Sequence, residues 1–516
     1  MSLMRGKRFL CMSGIIFLLV TALISCARYG SRPRVFVLGL DGATWDLLEP
    51  WMKEGSLPNI QQLVNDGAYG TLRSIVPPLS APAWTTAFTG VNPGKHGIFD
   101  FSRRLPGSLV SVNETARSRR AKPVWMILSE RKKKVGVMNI PLTWPPDEVN
   151  GFMISGFPYI EYRGYTYPKE LEEKIQPYPL ERLGEELVEG WENEKLKDID
   201  NQRDVLGKLV LESMKKEKWD LFWVVFTGSD RVQHFYWKFM DKNHPLHDPA
   251  KAKLYGNAIK NYWIAMDSIV GQIVSELPPG TMLMVISDHG FGPIYREINL
   301  SRWLQVSGIS DWLSHATMGP VIITNGVTKS VLWGAHKEGW KDYEEFKNLY
   351  KEKLSSFKDP ETGKQFFSGV YKREEVFGGK YVERAADIIV VENDPFFMGP
   401  GSEKEKNLVQ PILSTSFSAW HRPNGIFIFN GRGIRRGHIS EGGNLVDITP
   451  TILYFLNEGV PGSMDGKVLT WTVTPDYLKD NPVKTSKEEI EESGSAEEDT
   501  LTAEEAEKLK SIPYLK

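Results

Sequence analysis

The sequence has little cysteine and almost no net charge. Only Cys11 and Cys26 occur in its 516 residues, so a disulfide framework is excluded as the basis of the fold. The formal net charge is -2, and there is no basic stripe of the kind that holds a polyanionic strand. No nucleic-acid partner is therefore expected.

The remaining composition is that of an ordinary globular protein, with 41% hydrophobic and 25% charged residues. Its length suffices for one large α/β domain with insertions, or for two to three domains. No internal repeat is apparent, so a repeat architecture is not expected.

The N-terminus reads as a targeting segment. Three basic residues within positions 5–8 precede an apolar run from Phe9 to Ile24, which is typical of a secretory signal. The following Ser25-Cys26 resembles the end of a bacterial lipobox, which implies cleavage before Cys26 and lipidation of that cysteine. We expect a signal peptide at 1–25, a tether at 26–33, and an extracytoplasmic, membrane-anchored bacterial lipoprotein at the periplasm or cell surface. An uncleaved signal anchor is the alternative.

Continuous apolar runs separated by helical segments indicate a parallel sheet. The runs cover residues 35–40, 134–140, 152–156, 221–226 and 281–287, and helices are predicted at 122–131, at roughly 249–277 and at 446–456. Strands without polar alternation are buried on both faces. This alternation predicts an α/β fold, a doubly wound, mostly parallel central sheet with helices on both faces.

The same patterns suggest how the chain is divided. Residues 34–294 are predicted to form the first part of the catalytic core and 411–483 its second part. Residues 295–410 fit the strand–helix alternation poorly, so we interpret them as an insertion or cap over the active edge of the sheet. Residues 484–516 are acidic and Ser/Glu-rich, and we expect a solvated tail with a short helix around 503–511.

A turn around Ser80 offers a candidate nucleophile. Pro82 suits the first turn of a helix because it lacks the N–H that has no partner there. Ser80 would then lie at a helix N-terminus, where free N–H groups and the dipole favour an anion. Its hydroxyl could attack a phosphate or sulfate ester. Alternatively, Ser80 is an ordinary N-cap.

Acidic residues and histidines follow three of the predicted strands: Asp41, Asp230 with His234, and Asp288 with His289. The C-terminal ends of strands are where open α/β sheets bind ligands. Asp230 and His234 would share one helix face, and carboxylate with imidazole suits Zn²⁺ or Mn²⁺. Each pair alone could equally be structural, since Asp-His-Gly also forms plain turns.

Together these motifs resemble the alkaline phosphatase superfamily, and most closely its type I phosphodiesterase/nucleotide pyrophosphatase branch. The matching stretches occur in the family's order between about residues 40 and 430: 40–42, 80–84, 89–98, 228–230 with 233–234, 287–290, and 420–425. The resemblance thus covers most of the chain after the predicted signal.

The resemblance implies a two-metal site. Asp230, His234 and His421 would hold one divalent cation, and Asp41, Asp288, His289 and the Ser80 oxygen would hold the other. We expect Zn²⁺, with Mn²⁺ as the alternative. His421 enters only through the resemblance, because its neighbours in sequence suggest a surface or packing residue. His96 is interpreted as structural, and His244, His247, His315, His336 and His438 as loop residues.

The function implied is hydrolysis of small-molecule phosphate esters through a phosphoserine, as a phosphodiesterase, pyrophosphatase or phosphomonoesterase. Transfer of a phospho-headgroup to a glycan or lipid and a non-catalytic surface binding protein are the alternatives. Ser80 stands where nucleotide pyrophosphatases usually carry threonine. Trp84 stands where sulfatases need an arginine, which argues against a sulfatase.

Overall fold

The computed structural model describes residues 32–104, 111–181, 190–299, 302–303, 306, 321–322, 343–399, 407–412 and 417–490. The predicted signal peptide, Cys26 and the predicted helix at 503–511 lie outside the described residues. Across the ranges that are described, no helix is both long and apolar enough to cross a membrane.

The strands described are β1 Val35–Leu40, β2 Ala68–Arg73, β3 Ser102–Arg104, β4 Ser111–Asn113, β5 Val135–Met138, β6 Gly151–Ile154, β7 Thr166–Tyr167, β8 Leu221–Phe226, β9 Met282–Ile286, β10 Gly290–Pro293, β11 Arg296–Asn299, β12 Val321–Ile322, β13 Phe367–Lys372, β14 Ile388–Glu392, β15 Phe396–Gly399, β16 Val409–Pro411, β17 Ala419–Arg422, β18 Asn424–Asn430, β19 Gly437–Asn444, β20 Val460–Pro461 and β21 Thr485–Ser486. A nine-stranded mixed sheet forms the centre, in the order β19-β2-β18-β9-β1-β8-β5-β6-β7. The five strands β9, β1, β8, β5 and β6 are parallel, and β18 and β7 run antiparallel to their neighbours. The predicted α/β, mostly parallel sheet is confirmed.

Helices cover both faces of this sheet, as predicted. The α-helices described are Trp45–Lys53, Pro58–Asp66, Ser80–Thr89, Pro93–His96, Val124–Glu130, Leu171–Lys174, Glu192–Lys216, Gly228–Met240, Pro249–Tyr255, Ala258–Glu276, Tyr343–Ser355, Arg373–Val376, Ile448–Phe455 and Pro475–Asp480, with 3-10 turns at Ala116–Ser118, Val382–Arg384, Leu445–Asp447 and Thr470–Thr472. One face packs mainly against the helices at 45–53, 58–66, 192–216, 228–240 and 258–276. The other packs against those at 80–89, 124–130 and 448–455.

The central strand shows why the apolar runs have no polar alternation. Phe36, Leu38 and Leu40 point into the hydrophobic cluster on one face, while Val35 and Val37 point into the cluster on the other. Because successive side chains of a strand face opposite sides, a strand covered on both sides needs apolar residues at every position.

Four local predictions differ from the structure. The tail expected to be solvated from 484 on is docked at its start, where Thr485–Ser486 pairs with Val460–Pro461 and Ile490 is fully buried. The long helix expected at 249–277 is divided into Pro249–Tyr255 and Ala258–Glu276; the break falls at Gly256-Asn257, two residues with low helix propensity. The helix expected at 446–456 begins as the 3-10 turn Leu445–Asp447. Strands β2 and β19 were not predicted, because their glycine-containing, partly polar sequences lack an apolar run.

The predicted insertion builds two small three-stranded sheets, β15-β11-β16 and β12-β14-β13, beside the central sheet. It meets the core next to the Ser80 turn: the Tyr381 N–H donates to Gly94 O at 2.8 Å, and the Phe377 and Phe99 rings are 5.2 Å apart. The domain boundaries at 294 and 410 stay predictions.

Candidate metal centre and nucleophile

The chemistry-bearing residues meet at the C-terminal edge of the three central strands. Asp41 directly follows β1, Asp288 and His289 follow β9, and the Gly228–Met240 helix after β8 carries Asp230 and His234. Strand β1 lies between β8 and β9 with all three parallel. Their C-terminal ends therefore open onto the same crevice, although the residues are up to 248 positions apart in sequence.

One group of candidate ligands contains Asp230, His234 and His421, whose ligand atoms all lie within 4.8 Å of one another. Asp230 Oδ1 is 3.4 Å from His234 Nε2 and 3.2 Å from His421 Nε2. The two imidazole Nε2 atoms are 3.1 Å apart. His421 arrives on β17, which pairs with β10 so that His421 faces Phe291.

The second group contains Asp41, Asp288 and His289, again within 4.8 Å. His289 Nε2 is 3.6 Å from Asp41 Oδ1 and 3.3 Å from Asp288 Oδ2. The two groups adjoin each other, because His289 Nε2 is also 4.0 Å from Asp230 Oδ1 and the His289 and His421 rings stack at 3.7 Å.

Backbone carbonyls orient all three imidazoles. Nδ1 lies 2.9 Å from Ala419 O in His234, 2.8 Å from Pro78 O in His421 and 3.0 Å from Gly290 O in His289. A carbonyl only accepts, so each Nδ1 donates its hydrogen and each neutral ring keeps a lone pair on Nε2. This is the arrangement in which a histidine ligates a metal through Nε2.

The carboxylates present oxygens that have no hydrogen-bond donor. Among the described residues, Asp41 Oδ1, Asp230 Oδ1 and Asp288 Oδ2 are buried without a hydrogen-bond partner. They are also the oxygens that face the histidine Nε2 atoms. A buried, unpaired carboxylate oxygen is costly unless a cation compensates it. The residues present therefore fit two divalent cations.

The pKa values of the carboxyl groups in this crevice also favour bound cations. Burial, together with the charge of Asp230, raises the pKa of Asp288 to about 8. Burial and the charges of Asp288 and Asp230 raise the pKa of Asp41 well above its usual range. Three carboxyl groups this close together in a largely buried crevice need added positive charge to ionise together.

Ser80 is the first residue of the Ser80–Thr89 helix, here called the nucleophile helix. Leu79 occupies the N-cap position, and its side chain makes no cap hydrogen bond, so the N-cap alternative for Ser80 is wrong. The Ser80 hydroxyl instead points towards the second group, with Oγ 3.1 Å from His289 Nε2. Ser80 is only 6% exposed, and Pro82 lies in the first turn as expected. All seven predicted residues thus come together in one place.

Two residues that support the site, Ser229 and Gln233, were not among the predicted site residues. Ser229 Oγ donates to Asp41 O at 2.6 Å, and Gln233 Nε2 donates to Gly42 O at 2.9 Å. These bonds attach the helix of Asp230 and His234 to the loop that carries Asp41. The sequence could have indicated both residues, because Ser229 and Gln233 are four positions apart and each directly precedes a predicted ligand.

The remaining histidines have structural surroundings where they are described. His96 is fully buried, accepts from Ile98 N through Nδ1 and donates from Nε2 to Thr86 Oγ1, and burial lowers its pKa to about 3. His244 lies outside the helices and strands, as expected, but it is buried and its Nε2 lies 2.9 Å from Ser418 O.

His247 Nδ1 lies 2.8 Å from Lys238 O. His438 was expected in a loop but lies on β19, with its ring 5.4 Å from that of Tyr69. His315 and His336 lie outside the described residues. Neither His247 nor His438 belongs to a metal-ligand group.

The fold and the paired ligand groups define the class, a metal-dependent hydrolase of phosphoric esters. The family model described as "Type I phosphodiesterase / nucleotide pyrophosphatase" matches residues 35–414. The chain therefore belongs to the type I phosphodiesterase/nucleotide pyrophosphatase family, a two-metal class within the alkaline phosphatase superfamily. No curated protein matched the sequence.

Solved structures share the fold at low sequence identity. Human ectonucleotide pyrophosphatase/phosphodiesterase 5 is 16% identical with a TM-score of 0.50, and the match covers 87% of this chain and 99% of that one. Its murine counterpart, in an inactive form with AMP, is 17% identical with a TM-score of 0.50, covering 85% and 98%. Phosphonoacetate hydrolase from Sinorhizobium meliloti 1021, with phosphonoformate, is 16% identical with a TM-score of 0.54, covering 82% and 95%.

Proposed function

We propose that this protein hydrolyses small-molecule phosphate esters, using Ser80 as nucleophile and two divalent cations as cofactors. The observation that carries the proposal is the convergence of two ligand groups, each with unpaired carboxylate oxygens, at the start of the nucleophile helix. Zn²⁺ suits this mixture of carboxylate and imidazole, and Mn²⁺ is the alternative.

The ligand groups divide the work between them. Asp230, His234 and His421 would hold one cation, and Asp41, Asp288, His289 and Ser80 Oγ would hold the other. Two such cations lower the pKa of a hydroxyl and stabilise the charge on the attacking and leaving oxygens of an in-line displacement.

Ser80 performs the covalent chemistry in this proposal. The hydroxyl gives its proton to solvent as Oγ forms a bond to phosphorus, and the bond from phosphorus to the leaving oxygen breaks, which yields a phosphoserine and a leaving group that is protonated by water. A water molecule then attacks phosphorus, the Oγ–P bond breaks and Oγ takes up a proton, which regenerates the serine and releases the phosphate product. Because Ser80 begins a helix, the positive end of the dipole favours the added negative charge of the phosphoryl oxygens. The hydrogen-bond contact of 3.1 Å between Ser80 Oγ and His289 Nε2 keeps the hydroxyl turned towards the second group.

A panel of model esters would identify the substrate class. The murine relative holds AMP, so nucleotide esters are a reasonable first set of candidates. Nitrophenyl monoesters, diesters and phosphonates would rank the leaving groups. Added acceptor alcohols would reveal transfer, because a transferase would give the phosphorylated alcohol in place of free phosphate.

We further propose that the body is tethered to a membrane outside the cytoplasm through Cys26. The basic and apolar N-terminus supports this. Arg32 pairs with Asp220 at the N-terminal end of β8, whereas the metal-ligand groups lie at the C-terminal ends of the central strands. A tether there would leave the site facing away from the membrane. Mass spectrometry of the protein extracted from the membrane should show an N-terminal peptide that starts at a lipid-modified Cys26, and Cys26→Ala should abolish both this modification and the cleavage before it. An unmodified Cys26 in the membrane-bound wild-type protein would refute the lipid anchor.

Replacement of Ser80 tests the nucleophile. Ser80→Ala should lower kcat on p-nitrophenyl phosphate and bis(p-nitrophenyl) phosphate by about 10³-fold or more, as loss of a nucleophile does in other covalent hydrolases, while both metals stay bound. Ser74→Ala is the matched control, since Ser74 is also buried and its Oγ has no partner in the described part of the chain. Wild-type turnover by the Ser80 variant would refute the assignment.

A further inference from the structure

Trp84 lies on the nucleophile helix four residues after Ser80, so both side chains share one helix face. The indole is completely buried. Its Nε1 donates to Asp41 Oδ2 at 2.9 Å. A single turn of helix thus carries both the candidate nucleophile and a hydrogen bond to one of the candidate metal ligands.

This hydrogen bond divides the Asp41 carboxylate into two differently used oxygens. Oδ2 is occupied by the indole, whereas Oδ1 has no hydrogen-bond partner among the described residues and faces His289 Nε2 at 3.6 Å. Rotation of the carboxylate would break the bond from Trp84. The indole therefore fixes which oxygen is turned towards Asp288 and His289.

A glycine in β1 makes room for the ring. Gly39 lies two residues before Asp41, on the same face of the strand. A Cβ at Gly39 would lie 2.6 Å from Trp84 Cη2 and 2.7 Å from Val225 Cγ2. Any larger residue would push the indole away from the strand, and with it the N–H that reaches Asp41.

Packing alone does not account for the hydrogen bond. Trp223 and Trp263 are also buried in the core, and among the described residues their Nε1 atoms have no hydrogen-bond partner. This core therefore accepts a tryptophan whose N–H is unpaired. The direction of the Trp84 N–H towards a ligand carboxylate is a specific feature of this position.

We propose that Trp84 is a positioning residue, which ties the nucleophile helix to Asp41 so that Ser80 Oγ and Asp41 Oδ1 face the same cation. The inference rests on the proposed two-metal function. It assigns Trp84 to the binding of one cation, the one held by Asp41, Asp288 and His289, and gives it no contact with the other.

The test measures Zn²⁺ binding by metal-free protein, through competition with a chromophoric chelator and elemental analysis after dialysis. Trp84→Phe keeps an aromatic ring but removes the N–H. We expect it to weaken one of two bound Zn²⁺ ions by about 10- to 100-fold, the usual effect of losing a residue that orients a ligand, and to leave the other at wild-type affinity.

Trp125→Phe is the matched control, because Trp125 is equally buried and its Nε1 donates at 2.8 Å to Asp147, which belongs to neither ligand group. It should bind both ions as the wild type does. Gly39→Ala provides an independent route, since it displaces the indole without removing it and should weaken the same single ion. Thermal unfolding of the metal-free variants monitors folding separately.

Two results would overturn the inference alone: wild-type binding of both ions by Trp84→Phe and Gly39→Ala, or equal weakening in Trp125→Phe, which would indicate a general packing effect. Fewer than two Zn²⁺ or Mn²⁺ ions bound by the wild-type protein would instead overturn the two-metal function, and this inference with it.

Discussion

The metal-free protein should become more stable when one of its candidate ligands loses its charge. Asp288 is completely buried, and its pKa is raised to about 8 by burial and by Asp230. It accepts a long hydrogen bond from Gly42 N to Oδ1, at 3.3 Å. Asp288→Asn keeps the shape and an acceptor oxygen for that bond but removes the ionisation.

The sign follows from comparing the folded and unfolded states. The folded-state pKa of about 8 exceeds that of an unfolded aspartate, about 3.9, so the folded protein holds a proton that the unfolded chain has lost between these values. The stability from this proton is complete below about pH 4 and is lost as the pH rises to about 8. Without metal, wild-type stability should therefore fall across this window.

The size of the effect can be bounded. At about 1.4 kcal/mol per pKa unit, ionised Asp288 would cost the folded state about 6 kcal/mol. Relaxation and water penetration reduce such costs, and we expect Asp288→Asn to gain at least about 2 kcal/mol at pH 8 and much less at pH 5. Saturating Zn²⁺ should reverse the order, because bound metal stabilises the wild type and the variant has lost a ligand.

Urea unfolding followed by circular dichroism measures the free energy of unfolding of the wild type and the variant. It is carried out at pH 5 and at pH 8, each with EDTA or with Zn²⁺. Asp267→Asn is the control. Asp267 is also a buried carboxylate, but it accepts hydrogen bonds from Asn59 N, Asn59 Nδ2 and Ile60 N at 2.7–3.1 Å. Its replacement should cost about 1.5–3 kcal/mol. A metal-free Asp288→Asn protein less stable than the wild type at pH 8 would refute the reasoning.

Two further changes probe the surroundings of the site. Ser418 Oγ donates to His234 O at 2.9 Å and accepts from Lys238 N at 3.3 Å, so Ser418→Ala should weaken the Zn²⁺ ion of the Asp230 group by about 10-fold. The same chelator competition should show the other ion unaffected, the reverse of the pattern expected for Trp84→Phe. Phe377 is 7% exposed and packs on Phe99, so it joins the insertion to the core. Phe377→Ala should lower the free energy of unfolding by about 3–5 kcal/mol. It should also raise KM more than it lowers kcat. Unchanged stability in urea would mean that this contact does not hold the insertion.

Much of the fold and part of the site could be predicted because short stretches of the sequence are enough to indicate them. A strand buried on both faces must be apolar at every position, so β1, β8 and β9 were recognisable from their sequences. Acidic residues within four positions after such strands were equally visible, which identified Asp41, Asp230 and Asp288. The strands β2 and β19 escaped prediction because pairing in the sheet, and not a local apolar pattern, determines them.

The sequence by itself determined the α/β class, the candidate ligands at strand ends and, through its motifs, the family. Only the tertiary structure decided which of these residues meet. The placement of β1 between β8 and β9 brings Asp41 to Asp288 and His289, and the β10–β17 pairing brings His421 to Asp230. Trp84 illustrates the difference: its sequence position argued only against a sulfatase, whereas its N–H is directed at Asp41 because the nucleophile helix packs over Gly39. Local patterns encode burial, but contacts between distant residues follow from strand order and helix packing.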